Sequence, residues 1–241
     1  MNLAAAIEIG GRRIEIRTGD ERLRELAVAF ASYPSLRAEG SRPPDVQLLL
    51  SHAERMRWDP GPHPSGACPP EPLALWILLR SAIARALAPE GAVLHSAAAA
   101  IDGRALLFLA PPGGGKTTII DLLEPDAELI GDELVAVTPD PARGGFRVQG
   151  TPCWSGRFRE GAAGSFPVSA ICFLRKGALD LAPLPRPAAL RELLPQCYLT
   201  DRPRAAVETL DFATALLART PAYALTFPLG ASLAPWLRRR W

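Results

Sequence analysis

The apolar run Ala105-Leu106-Leu107-Phe108-Leu109 leads directly into Ala110-Pro111-Pro112-Gly113-Gly114-Gly115-Lys116-Thr117-Thr118, and this junction constrains the fold more than any other stretch. Five consecutive apolar residues suit a buried parallel strand, and Ile119-Ile120-Asp121-Leu122-Leu123 reads as a helix. A glycine-rich turn joins the two. Three successive glycines permit backbone angles closed to other residues, so consecutive N–H groups can line a concave anion site. The N-terminus of the following helix adds partial positive charge at the same place. Pro112, Gly113, Gly114, Gly115, Lys116, Thr117 and Thr118 therefore read as a nucleotide phosphate-binding loop of the Walker A type, and the chain as an α/β protein. An ammonium about 4 Å from a phosphate oxygen contributes roughly 4 kcal/mol of raw attraction at an effective dielectric of about 20. Lys116 is positioned to do this for the β- and γ-phosphates of a nucleotide, and Thr117 to give its hydroxyl to Mg²⁺. A Gly/Pro/Lys cluster between apolar segments can also be a plain turn; the strand before it and the helix after it favour the phosphate loop.

Composition sharpens this reading. Of 27 basic residues only two are lysines, against a background rich in arginine, alanine and proline, so a lysine at position 116 is telling. The net charge of +2 gives no broad basic field, and nucleic acid is not an expected partner. No apolar segment approaches the roughly 18 residues needed to span a bilayer, and Met1-Asn2-Leu3-Ala4 does not open a basic region followed by an apolar core. The expectation is a soluble, cytoplasmic protein with no membrane partner; self-association into a homo-oligomer is left open. Cys68, Cys153, Cys172 and Cys197 show no paired metal-ligand spacing, and His52, His63 and His95 do not complete one. They read as small buried thiols.

With 241 residues the chain can form one substantial α/β core with a small appended subdomain. Ile7-Glu8-Ile9 and Ile14-Glu15-Ile16-Arg17 alternate as strands do, a helix follows near Arg22 to Ala31, and Val46 to Leu50 reads as a strand. Residues 1–68 are thus expected to form a small N-terminal α+β subdomain, closed by the turn-rich stretch between Trp58 and Pro72, and residues 69–241 the nucleotide-binding domain. In the latter, Leu73 to Leu87 reads as a helix, and Ala92 to Ile101 as a strand paired through an Asp102-Gly103 turn to the strand before the loop. Further strands are expected at 128–130, 134–137, 145–148, 168–174 and 223–227, and helices near 188–193 and 205–218, before a short basic end.

A phosphotransferase needs a carboxylate beside the loop to hold the metal shell or accept the proton of the attacking group. Leu129-Ile130-Gly131-Asp132-Glu133 offers one at a strand end, and the spacing 132 − 116 = 16 leaves room for one helix and a return strand. Asp132 is the expected metal-shell or general-base carboxylate and Glu133 its neighbour, unless Gly131-Asp132 is merely a surface turn. His95, in Val93-Leu94-His95-Ser96-Ala97, has two open readings: a satisfied structural histidine on a strand, or a functional group.

His95, the loop 110–118 and Ile130-Gly131-Asp132-Glu133 together resemble the catalytic domain of the HPr kinase/phosphorylase family, with the histidine 110 − 95 = 15 residues before the loop. The hairpin leading into the loop is similar to the phosphoenolpyruvate carboxykinase type of P-loop fold. Val148 to Gly156 followed by Val168 to Leu174 looks like the shorter bacterial HPr-kinase-related proteins. Ala110 stands at the loop's first glycine position and Asp132-Glu133 at the family's paired aspartates. The resemblance implies a P-loop phosphoenolpyruvate carboxykinase/HPr kinase-like core and an ATP- and Mg²⁺-dependent serine kinase-like activity. The γ-phosphate would pass to a hydroxyl of a peptide, protein or small molecule, in some relatives during peptide natural-product maturation. On this resemblance His95, Lys116, Asp132 and Glu133 are the catalytic residues, Gly113 to Thr118 hold ATP, and Thr117 and Asp132 face the metal. Thr151, Trp154, Arg157 and Arg159 lie in a loop that borders the acceptor or simply packs. A carboxykinase-like lyase is disfavoured by three histidines and two lysines. A nucleotide-gated binding or assembly protein with little phosphoryl transfer is the alternative.

Overall fold

The computed structural model of the protein describes residues 2–32, 36, 38, 40, 42–50, 71–124, 126–153, 161–230 and 232–240. Most of the turn-rich stretch expected to close the first subdomain, with His52, His63 and Cys68, lies outside these residues, as do Trp154, Arg157 and Arg159.

The N-terminal segment forms β1 (Asn2–Ile9), β2 (Arg12–Thr18), α1 (Glu21–Ala31) and β3 (Val46–Leu50), with β2 antiparallel to β1 and parallel to β3. Its alternating isoleucines Ile7, Ile9, Ile14 and Ile16 are fully buried, and they share a core with Leu79 and Ile83 of α2 (Glu71–Leu87). Asp20 caps α1 by accepting from the Leu23 N–H, so the helix starts where a carboxylate can satisfy an orphan donor. The same core takes in Val93, Leu134 and Ala136, and the Gln149 side chain accepts from the Gly10 N–H and donates to Glu8 O. Apolar packing therefore runs on from residues 2–32 into the strands beyond residue 69.

The expected strand over 92–101 divides into β4 (Ala92–His95) and β5 (Ala97–Ile101), broken at Ser96. The reason is a change of partner: β4 pairs with β8 (Leu134–Asp140), whereas β5 pairs with β6 (Arg104–Leu109) and β7 (Glu128–Gly131). The Ser96 hydroxyl lies 2.7 Å from Ala97 O and 3.1 Å from Phe108 O, which satisfies a fully buried polar group at this corner. The β5–β6 hairpin turns at Asp102 and Gly103, whose φ of 51° and 73° are the left-handed values of a tight two-residue turn.

Among the described residues the larger sheet has nine strands, including β9 (Gly145–Gly150), β10 (Ser165–Lys176), β11 (Asp180–Pro183) and β12 (Ala222–Phe227). It is a curled, mixed sheet. The 12-residue β10 pairs with β9 through Ser165 to Pro167, with β6 through Val168 to Phe173, and with β12 through Ile171 to Lys176. Strands β6, β10 and β12 are parallel, and β7 runs the same way as β6 with antiparallel β5 between them. The C-terminal ends of four strands thus share one edge.

Both faces of this sheet are covered. Leu107 and Leu109 point toward α4 (Arg186–Leu193) and α5 (Ala205–Arg219), while Leu106 and Phe108 point toward α3 (Lys116–Leu123) and α6 (Leu233–Arg238). Two-sided burial explains the unbroken apolar run of β6. The basic end expected after residue 227 carries helix α6, held by its buried Leu233, Ala234 and Leu237. Replacing Phe108, which has no exposed surface, with alanine should lower unfolding free energy by about 3–5 kcal/mol in urea titrations. A loss under about 1 kcal/mol would mean that β6 is not the centre of the core.

Candidate functional site

The loop between β6 and α3 is curled in the way its glycines allow. Gly113 and Gly115 have φ of 73° and 103°, left-handed values that side chains disfavour. A Cβ on Gly114 would stand 2.5 Å from Ala110 Cβ and 2.9 Å from Pro111 O, so the loop closes on itself too tightly for any residue but glycine there. Gly115 caps α3 with no side chain, so no side-chain oxygen takes up the first-turn N–H groups of the helix that follows the loop. Lys116 is 7% exposed, and its ammonium donates to Ala110 O at 2.9 Å. Burial lowers its pKa from the ordinary lysine value, and the Glu133 carboxylate opposes that shift. A buried cation with a carbonyl partner, beside the start of a helix, has the chemistry to receive an anion, while the Gly114 N–H is already spent on Pro111 O at 2.9 Å.

The register of β4 and β8 brings in the second group. His95 pairs with Leu134, so Glu133, one residue earlier, stands beside the end of β4, and its carbonyl accepts from the Ser96 N–H at 3.1 Å. His95 Nε2 and Glu133 Oε1 are 3.2 Å apart, and each side chain is about a quarter exposed. The hydrogen bond from His95 holds the Glu133 carboxyl below its ordinary value of 4.5; burial pushes the other way, and the charges of His95, Lys116 and Arg80 add to the lowering. Glu133 therefore contributes stability that is present above about pH 4.5 and lost as pH falls through its lowered folded value. Urea midpoints of the protein and of Glu133→Gln should converge on acidification from about pH 7 to about pH 3. A difference that grows on acidification would mean that Glu133 is not held ionised by His95.

These pieces border one open cavity of about 940 Å³, lined by His95, Glu133 and residues 112–118. The expected loop residues Pro112, Gly113, Gly114, Gly115, Lys116, Thr117 and Thr118 all face it. Asp132 does not: it is 2% exposed and lies off the lining, and the carboxylate presented to the cavity is Glu133. Thr151 is buried and turned inward, its hydroxyl donating to Leu134 O at 2.7 Å and accepting from the Cys153 N–H, so it braces β8 and does not border the cavity. Among the described residues no three His, Cys, Asp or Glu side chains gather into a cluster able to hold a metal. A Mg²⁺ here would complete its shell with phosphate oxygens and water, which is its usual habit. The exposed Thr117 hydroxyl fits such an ion, and Glu133 is the carboxylate on the same cavity.

Sequence reasoning passed over part of the lining, namely Lys176, Gly177 and Ala178 at and after the end of β10 and Phe227, Pro228 and Leu229 at and after the end of β12. The signal for one of them was present, because Lys176 is the chain's other lysine. The described cysteines are buried, and burial raises the Cys153 and Cys197 thiols to about 12, which leaves them unreactive. No described helix is long and apolar enough to cross a membrane.

Comparison with known proteins adds a family. No curated protein matches the chain. Among solved structures, that of the HPr(Ser) kinase/phosphatase from Coxiella burnetii matches 61% of this chain and 86% of its own, with 12% identity and a TM-score of 0.28. An overlap at that score carries no argument about fold or activity. Residues 71–230 match the family described as SynChlorMet cassette protein ScmC, a span that runs from α2 past β12 and holds His95, the loop, Glu133 and the whole cavity lining. With well over half of its length so matched, this chain belongs to the ScmC family.

Proposed function

We propose that the protein is an ATP- and Mg²⁺-dependent phosphotransferase of the HPr-kinase-related type, built on a P-loop core. Its acceptor is a hydroxyl, serine-like, on a peptide, protein or small molecule. The observation that carries this reading is that the buried Lys116, the curled loop 112–118 and the hydrogen-bonded His95–Glu133 pair all line one cavity. A phosphate chain laid in the loop would exchange the Ala110 carbonyl for oxyanions as the partner of Lys116. That exchange favours a highly charged ligand, because a buried ammonium gains more from a full charge than from a carbonyl dipole.

Glu133, held ionised, is suited to align an acceptor hydroxyl and take its proton, while His95 fixes the orientation of the carboxylate and receives charge from it. The acceptor oxygen bonds to the γ-phosphorus, the bond from that phosphorus to the β–γ bridging oxygen breaks, the proton passes to Glu133, and ADP leaves. Lys116 and the α3 N-terminus stabilise the spreading charge of the transferred group. Thr117 would hold Mg²⁺, which would neutralise phosphate charge, and Glu133, not Asp132, is the carboxylate on the same cavity. Asp132 keeps a supporting role, buried directly before Glu133.

The test is incubation with γ-labelled ATP, Mg²⁺ and a panel of serine, serine-containing peptides and HPr. Label on one acceptor that depends on Lys116 supports the reading. ATP binding without transfer to any acceptor, peptide or protein would replace it with a nucleotide-gated binding protein.

A further inference from the structure

We propose that the β10/β12 side of the cavity seats the nucleoside of the donor, with Pro228 and Leu229 as an exposed apolar face for the base, the buried Phe227 supporting them from the core, and Lys176 as a hydrogen-bond donor beside it. This rests on the reading of the cavity as a nucleotide site and deepens it, because it makes the donor a nucleoside triphosphate in preference to an inorganic polyphosphate.

Strand order divides the cavity. On one flank of β6 are the start of β5 and the end of β7, where His95 and Glu133 stand; on the other are the ends of β10 and β12. The loop lies between them. Since the reacting hydroxyl must meet the γ-phosphate beside Glu133, the rest of the donor extends toward β10 and β12. That flank differs in chemistry from the first. Leu229 is 85% exposed, the most exposed large apolar side chain among the described residues, and it sits on the cavity rim next to Pro228. Phe227 joins this rim to the loop, its Cζ 3.4 Å from where a Cβ on Gly115 would be. Register pairs Lys176 with Phe227. It also places Lys176 three residues beyond Phe173, which pairs with Leu109, so β10 overhangs the loop's entry by about 10 Å. Lys176 is exposed and lines the same cavity, so the chain's only two lysines both serve this one site among 25 arginines, read as 27 − 2. A compact ammonium beside an exposed apolar surface suits a nucleobase and ribose, which offer ring nitrogens and hydroxyls as acceptors. A cavity of about 940 Å³ has room for this occupant as well as the acceptor.

The experiment is calorimetric titration of the full chain with ATP·Mg²⁺ and, separately, with tripolyphosphate·Mg²⁺, for the natural protein, Leu229→Asp, Lys176→Met and Lys116→Met. The expected result is that ATP binds roughly 5- to 100-fold more tightly than tripolyphosphate, and that Leu229→Asp and Lys176→Met each weaken ATP while leaving tripolyphosphate within about twofold. Equal binding of the two ligands by the natural protein overturns the inference. So does ATP binding that neither rim substitution changes, or tripolyphosphate binding that both weaken as much as they weaken ATP. In those cases a loss of both ligands in Lys116→Met leaves the nucleotide reading standing. Binding of neither ligand by the natural protein, or full binding by Lys116→Met, overturns the nucleotide reading and this inference with it.

Discussion

Lys116→Met should reduce phosphoryl transfer to roughly a thousandth or less while leaving the urea midpoint at neutral pH unchanged or slightly higher. The first half follows from the raw attraction of about 4 kcal/mol between an ammonium and a phosphate oxygen at about 4 Å, since each 1.36 kcal/mol is about tenfold in rate. Methionine keeps most of the side chain's length and apolar volume, so the packing of α3 against β6 survives. The second half follows from the sign of the pKa shift. Burial disfavours the charged lysine in the folded state and lowers its pKa. A base with a lowered folded pKa costs stability below that value, and the cost fades as pH rises toward the ordinary value of 10.5. Removing the charge lifts that cost at neutral pH and gives up one bond to Ala110 O. Unaltered transfer in Lys116→Met would remove the phosphates from this loop. A collapse of the urea midpoint would make the lysine a structural residue and its loss uninformative about chemistry.

Glu133→Gln should lower turnover by roughly 10²- to 10⁴-fold and change ATP affinity by less than about threefold. Glutamine keeps the shape and a hydrogen bond to His95, but it cannot take a proton from the acceptor. The companion variant Asp132→Asn separates the two carboxylates: Asp132 is buried and off the cavity, so its effect should fall on unfolding more than on turnover. Single-turnover kinetics beside equilibrium unfolding distinguishes them. If Asp132→Asn abolished transfer in a fully folded protein and Glu133→Gln did not, the proton-accepting role would return to Asp132.

The difference between these neighbours shows why the acidic pair was only half legible. From Leu129 to Glu133 the residues show a strand end with two carboxylates in reach of the loop. Which one faces it depends on β4 pairing with β8 in the register that sets His95 opposite Leu134. That pairing links residues about forty apart, and nothing local in either segment encodes it. His95 illustrates the same limit. Only that register brings its ring 3.2 Å from Glu133 and sets both side chains on the same cavity. The division of one expected strand into β4 and β5 at Ser96 is likewise a decision of partners, since Val93-Leu94 and Ala97 to Ala100 are apolar on either side of it and nothing local says which sheet half each joins.

The glycine loop between β6 and α3 needed no tertiary context, because everything its shape requires is local: an apolar strand, glycines where φ is positive, and a lysine opening a helix. The hairpin turn at Asp102-Gly103 and the alternating isoleucines of β1 and β2 were readable for the same reason, as period and turn chemistry act over a few residues. What the folded chain alone decided is how the cavity is lined. Lys176 and the segment Phe227 to Leu229 reach the loop from 60 and more than 110 residues away because β10 and β12 lie parallel to β6, with their ends on one edge. Such long-range pairing is selected by the summed burial of two sheet faces and not by any one segment's preference, so the sequence by itself determined the curled glycine loop between strand and helix and the tertiary structure decided what surrounds it.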